Sequence, residues 1–600
     1  MKTKIKAILL SLSLLLGGLT VLIPAAVSAA ADTCTWTGAV NANWSNGGNW
    51  NGCDNGNVPE NGDSLQFNGG TATSTNDISG LSISTLSISA AQTISGNAFT
   101  IVGGFSNSAA GAVIDADITL GGTQAFSSTA GGSIQINSNL NLGAFNLTLF
   151  VNGGSMSIPG NISGSGFINK TGTNQLNLSG NNTFTGLFHI ITGYVNAQSN
   201  NAFGSTAGGT TVDNGTTINV VTGGLVIPEN FDISGSGNVG GGAIRNFTGA
   251  NTLTGDITLS NSSVFLSSDS GSFLTVNGTI AGAQPLEIGG MIIFNGPTFF
   301  AGPMNILGGG ELYFNAANVA DVSNNGSLIG GTGSFGNYVT GGGDVLDPGA
   351  SNAAGVLGAA NTILDATSTF NSDLRSGSND TLDVTGTIDL AGATLTTDLD
   401  YNAPNGTQFI IVANDGADAV TNTFAGLAEG AIFAAGGSFA STLQITYVGG
   451  TGNDIVLTVI KVAPTLTLGS SATTAAAGSS VTFTASLGVL APAATGTVSF
   501  YDGATLLGTS AVNGSGDATL TTTALTAGSH SITAQYSGDV TYASSTSAVL
   551  GESITAAAGG AAPTLADTGA SALVVVLFGL VLAAGGILMQ TNLFTVKHRR

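Results

Sequence analysis

Between Asn68 and about Leu457 one pattern recurs: four to six residues that alternate apolar and polar, then a turn rich in Gly, Asn or Ser. LSISTLSIS (Leu81–Ser89), SIQINSNLNL (Ser133–Leu142), NLTLFVNGG (Asn146–Gly154) and SFLTVNGTIAG (Ser272–Gly282) are clear cases. A period of two puts every second side chain on one face, so each run reads as a strand with one buried side. No segment of this stretch carries a convincing helical period. The irregular turn spacing fits a parallel β-helix, whose coils tolerate variable turns, better than a propeller with motifs of about 40 residues. At about 20 residues per coil, the stretch predicts roughly 20 coils and a rod on the order of 90 Å, given strands about 4.8 Å apart.

Composition agrees with stacked sheet. Of 600 residues 92 are Gly, while only 7% are charged. With 12 Pro and no three-residue Gly period, a collagen helix is excluded, and 42% hydrophobic residues argue against a disordered chain. Gly and Asn serve positive φ at the corners, Val, Ile, Leu and Phe point inward, and Asn and Thr can stack in ladders along the rod.

The charges are sorted by position. Lys2, Lys4 and Lys6 open the chain, and Lys597, Arg599 and Arg600 close it. Between them lie only Lys170, Arg245, Arg375 and Lys461 against all 33 acids, a formal −29. Counterion release from phosphates needs clustered Lys and Arg, so nucleic acid is not expected as a partner.

Both ends read as address labels. Residues 1–31 have the basic start, apolar run and small-residue tract of a signal peptide, cleaved after Ala29 or Ala31, so the body is expected to be exported. Residues 571–589 (SALVVVLFGLVLAAGGILM) are uncharged and about long enough for a transmembrane helix, and the basic tail 590–600 would lie inside. Residues 551–570 form the linker before it, ending in Leu565, Ala566, Asp567, Thr568 and Gly569. This signal, span and basic tail resemble the LPxTG cell-wall sorting signal of Gram-positive surface proteins. The resemblance implies a sortase as partner and cleavage between Thr568 and Gly569, with Ala566 where that family has Pro.

The cysteines, Cys34 and Cys53, share a short stretch with all three tryptophans, Trp36, Trp44 and Trp50. Export permits a disulfide, worth about 3 kcal/mol for a loop of this length; two Cys without nearby His make a poor zinc site. The expectation is a stapled aromatic cap over residues 32–67. The stretch Thr35–Gly70, through Trp36, Gly38, Trp44, Asn49, Trp50, Pro59, Gly62, Asp63 and Phe67, resembles the opening of bacterial autotransporter-associated β-strand repeat passengers. Ile162–Gly186 looks like the repeat itself, through Lys170, Gly172, Leu176, Leu178, Gly180, Asn182, Thr183 and Phe184. Gly241–Leu259, Gly343–Gly349 and Ile445–Val459 resemble later blocks of such passengers, in the family's order. The resemblance implies a passenger-like β-helix over 68–460; the outer-membrane barrel of a true autotransporter is not expected in the remaining residues.

Residues 462–550 change character, with more Ala and Thr and about seven alternating runs, which suggests a β-sandwich. TGTVSFYDG followed by GSHSITAQYSGD resembles bacterial immunoglobulin-like repeat domains, with Val498, Phe500, Ile532, Ala534 and Tyr536 pointing inward. The fold class expected is therefore all-β: a right-handed parallel β-helix, an immunoglobulin-like sandwich and a C-terminal transmembrane helix.

No catalytic residue, metal or cofactor is expected. Lys170, Arg245 and Arg375 do not cluster near acids in sequence, and the expectation is that no groove gathers two carboxylates and a base within about 10 Å. The pairs Asp344 with Asp347 and Asp380 with Asp383 read as turn residues rather than as the paired acids of a glycosidase. His189 and His530 sit in strand-like runs without a Ser/Asp frame. Gly449–Leu457 matches the calcium-binding nonapeptide, but in a single copy, so a structural calcium at Asp454 is the lesser reading. The function expected is a non-enzymatic surface protein, an adhesin or stalk that meets surface glycans or host or neighbour-cell proteins. A carbohydrate-active β-helix enzyme is the alternative.

Overall fold

In the computed structural model, residues 31–557 are described, apart from 109–110, 350–352, 440 and 491–492. The alternating runs become short parallel strands, each paired with the equivalent strand one coil before and one coil after. The longest uninterrupted ladder stacks sixteen strands, from Thr73–Asn76 to Ile388–Asp389. Two further ladders form the other faces, and together they wrap a β-solenoid of about 15 turns.

The core is a set of continuous columns. Ile134, Met156, Leu176, Val195, Ile218, Ile244, Leu266 and Ile288 stand in register one above another. Each is at most 1% exposed. A coil buries its apolar face only against its neighbours, so the columns hold the rod together and neither end is stable without a cover.

The outward positions use polar ladders, as expected. Asn295 donates to Asn277 and Asn315 to Asn295, both at 2.9 Å. At the corners, glycine is required by close approach: a Cβ on Gly172, at φ +80°, would stand 2.3 Å from the carbonyl oxygen of Val151 one coil below.

The rod is shorter than the sequence predicts. Fifteen inter-strand intervals give about 70 Å. Along the sixteen-stranded ladder, coil length varies from 16 residues, Asn324 to Thr340, to 26, Asn219 to Arg245. The last part of the 68–460 stretch also leaves the coil pattern. Gln408–Asn414, Asp454–Val459, Thr442–Gly449 and Ile432–Ala434 pair antiparallel in succession and close the stack.

Past Lys461 the chain forms two small sheets. One has three strands (Thr467–Ser470, Val481–Ser486, Asp517–Thr522) and the other six, centred on Gly528–Tyr536. Val498, Phe500, Ile532, Ala534 and Tyr536 are all buried between them, as the alternation requires. The expected end at 550 falls at the start of the last strand, Leu550–Thr555.

Candidate functional site

The N-terminal cap is built by the residues the sequence singles out. Thr33–Trp36 lies parallel to Ser64–Phe67, the first rung, and Trp50–Asn51 pairs antiparallel on its other side, with Trp36 opposite Trp50. That antiparallel strand covers a ladder edge otherwise open to pairing with another chain. Cys34 and Cys53 are joined by a disulfide. The rings of Trp36 and Trp50 meet edge to face at 4.9 Å, and Trp44, Trp50 and Phe67 pack within 6.0 Å of one another. Trp50 Nε1 donates to the carbonyl of Trp44. Buried Asn49 ties the intervening loop, accepting from the amides of Val40 and Asn41.

The residues that carry the repeat resemblance are also structural. Lys170 is fully buried, and its Nζ donates to the carbonyls of Thr171, Gly172 and Thr192 at 3.1, 2.7 and 3.0 Å. Burial pushes its ammonium down to about 8. Asn182 accepts from the amide of Ile162 and donates to the carbonyl of Ala202, linking three successive coils.

Against expectation, one groove does gather carboxylates around a base. Thr369–Arg375 pairs in parallel with Thr394–Leu399, which sets Asp373 beside Asp398. Period two brings Arg375 to the same face as Asp373. Arg375 Nη2 lies 3.0 Å from Asp373 Oδ2 and 2.8 Å from Asp398 Oδ2, its Nε lies 3.6 Å from Asp400 Oδ2, and its Nη1 donates to the carbonyl of Asp398. A cavity of about 470 Å³ adjoins, lined by Leu328, Asp347, Asn371, Asp373, Thr396 and Asp398. Burial, then the charge of Asp373, pushes the Asp347 carboxyl up to about 6. Burial also raises Asp373, opposed by Arg375. Separations of about 25 residues look scattered along a chain; in a solenoid they are one coil, hence adjacent.

The pairs named from sequence separate. Asp344 is buried and accepts from the amides of Gly326, Ser327 and Gly341, a turn role, whereas Asp347 faces the groove. Asp380 is buried and accepts from Gly355 and Asp373 amides, while Asp383 faces solvent. Both histidines do have an Asp, again through strand pairing: His189 Nε2 lies 3.0 Å from Asp213, and His530 Nδ1 lies 2.6 Å from Asp502. The second nitrogen of His530 meets the carbonyl of Thr526, so neither nitrogen is left for a serine.

Asp454 opens the strand Asp454–Val459, directly after the tight turn that follows Thr442–Gly449. Its carboxylate accepts from the amides of Asn414 and Thr451. Among the described residues no group of three or more His, Cys, Asp or Glu side chains is arranged to hold a metal ion, and no helix is long and apolar enough to cross a membrane. The sorting-like motif Leu565–Gly569, the segment 571–589 and the tail 590–600 lie outside the described residues, as does the leader apart from Ala31.

The C-terminal sandwich has the two facing sheets and the Cys-free, Trp-free core expected of it, and the comparison with known families is decisive there. Residues 467–555 match the bacterial Ig-like domain family, group 3. No curated protein matches the chain. The Ig-like domain meets the solenoid directly: Lys461, 8% exposed, donates to Asn402 Oδ1 near the C-terminal end of the solenoid and to the carbonyl of Asp539 in the domain. Val462 bridges in parallel to Tyr542. All four bases between the two ends of the chain are thus engaged with protein partners: Lys170, Arg245 through Asp269, Arg375 and Lys461.

Proposed function

We propose that this chain is a non-enzymatic bacterial surface protein: exported by its leader, held at its C-terminus by the 571–589 segment, and displaying the solenoid outward on the Ig-like domain. The observation that carries this reading is the arrangement of the ends. The solenoid is sealed at one end by the disulfide-stapled Trp cluster and bonded at the other to a domain type found in bacteria. A rod with one closed end and one docked end suits a stalk or adhesin. The autotransporter-like repeats and the LADTG motif support the same reading, with a sortase as a candidate partner. Deleting residues 571–600 should move the protein from the cell envelope to the medium; retention at the envelope sinks the anchor. A mature C-terminus at Thr568 in wall digests supports sortase processing, and an intact Arg600 there removes it.

A second reading, a carbohydrate-active enzyme, is favoured by the groove of Asp347, Asp373 and Asp398. A carboxyl pushed up to about 6 beside other carboxylates is the raw material of general acid–base chemistry. Arg375 is already saturated by Asp398, Asp373 and Asp400, which supports a structural role for it. Depolymerisation of a polysaccharide by the purified chain, abolished by Asp347→Asn, would establish the second reading over the first.

A further inference from the structure

A second and larger concavity lies on the outward face of the sixteen-stranded ladder, away from the acidic groove. Strand pairing stacks Gln175, Tyr194 and Thr217 in one column and Asn177, Asn196, Asn219 and Arg245 in the next. With Phe247 and the turn at Asn238–Gly240 these columns enclose about 590 Å³, a volume suited to a small ligand.

The chemistry of the lining is specific. Asn219 donates to Asn196, and Asn196 to Asn177, so the amide ladder points its acceptors one way. Asn219 Oδ1 is itself closed off from the groove, whereas the half-buried Gln175, Tyr194 and Asn196 present polar edges to it. Beside them Phe247 is 48% exposed, with the guanidinium carbon of Arg245 4.7 Å from its ring centre. Val239 forms the rim, 99% exposed and held at φ +53°, where a β-branched residue is rare.

Charge narrows the occupant. Arg245 Nε and Nη2 each bond an oxygen of Asp269 at 2.7 Å, so the cation is neutralised within its own wall. An acidic sugar or phosphate finds no free positive charge, and it meets a chain of net −23. Uncharged hydroxyls find amides to accept from them, and the apolar faces of sugar rings find an exposed aromatic.

We propose that this groove binds a short segment of a neutral oligosaccharide, with the half-buried Gln175, Tyr194 and Asn196 hydrogen-bonding its hydroxyls and Phe247 stacking on a ring face. The site rests on the surface-protein reading only for its biological setting, since binding by the purified chain is independent of where the protein resides in the cell.

The test uses the purified full-length chain with uncharged cello-, manno- and N-acetylglucosamine oligomers, and galacturonate oligomers as the anionic comparison, by calorimetry. At least one neutral oligomer should bind, and Phe247→Ala and Gln175→Ala should each weaken it about tenfold or more while the melting temperature stays within about 2 °C. Phe299→Ala, an exposed aromatic on another face, should leave the affinity unchanged. The proposal is overturned by no binding of any neutral oligomer at millimolar concentration, by equal weakening in Phe299→Ala, or by tighter, salt-sensitive binding of the galacturonate oligomers. A shift of the protein to the cytoplasm in fractionation would count against the surface reading alone.

Discussion

Lys461 Nζ donates to the backbone carbonyl of Asp539 at 3.0 Å, and this bond crosses the joint between the solenoid and the Ig-like domain. The same ammonium reaches Asn402 at 2.5 Å, so one side chain spans both bodies. Burial lowers its ionisation, partly offset by the charge of Asp539. Joints between domains are ordinarily mobile unless the interface is extensive, and a buried, doubly bonded Lys restrains this one. Lys461→Ala should leave both modules folded but speed proteolytic cleavage between residues 460 and 467, read by limited digestion and mass spectrometry. Unchanged digestion would assign the restraint to the Val462–Tyr542 bridge and the bond from Ser441 to the carbonyl of Val540 instead.

The cap should be the weak point of the rod when altered, because the columns behind it have no other cover. Trp50→Ala removes a fully buried indole that touches Trp36, Trp44 and Phe67. The expected cost is roughly 3–5 kcal/mol. Cys53→Ser should cost about 3 kcal/mol through loss of the 19-residue crosslink. Urea titration followed by Trp fluorescence reads both, since all three Trp lie in the cap. In a one-dimensional stack the loss should begin at this end, and hydrogen exchange should rise first in Leu65–Ile88.

Glu229 sets a pH response. It is 2% exposed, Thr210 donates to its Oε1, and its Oε2 is buried without a partner. Burial, opposed by the Thr210 bond, pushes it up to about 7. Between its unfolded value near 4.5 and about 7 the folded chain keeps a proton that the unfolded chain releases, so this group adds stability as pH falls through that window. Glu229→Gln should raise stability at pH 8 by on the order of 1–3 kcal/mol and flatten the gain on acidification. Melting curves at pH 5 and pH 8 compare the two proteins; a Gln variant that melts lower at pH 8 would contradict this account.

The Ig-like domain should respond in its own range. Both nitrogens of His530 face acceptors, the carbonyl of Thr526 and the carboxylate of Asp502, and these raise its pKa above 6.5. A raised His contributes stability that is complete below about 6.5 and lost as pH climbs through the folded value. His530→Gln should therefore lower the melting temperature of this domain at pH 6 and do so much less at pH 9. An equal deficit at both pH values would assign the effect to packing instead of charge.

Much of this architecture is legible residue by residue. Alternation in Leu81–Ser89 and Ser133–Leu142 dictates strands with one buried face, because side chains in a strand point alternately to either side. The clustering of Cys34, Cys53 and the three Trp within 20 residues marks the cap, and Val498, Phe500, Ile532, Ala534 and Tyr536 mark the sandwich core. These are local facts, written in neighbours along the chain. The grooves were hidden for the opposite reason. Asp373 and Asp398, His189 and Asp213, and Asn196 and Asn219 are each 23 to 25 residues apart, and whether they meet depends on coil lengths that range from 16 to 26 along the longest ladder alone. The rod came to about 70 Å and not about 90 Å chiefly because its last stretch left the coil pattern for an antiparallel closure. The alternating pattern by itself determined which side chains face the core and which face solvent; only the stacking decided which outward residues stand together, because in a solenoid every lateral contact is made one full coil away.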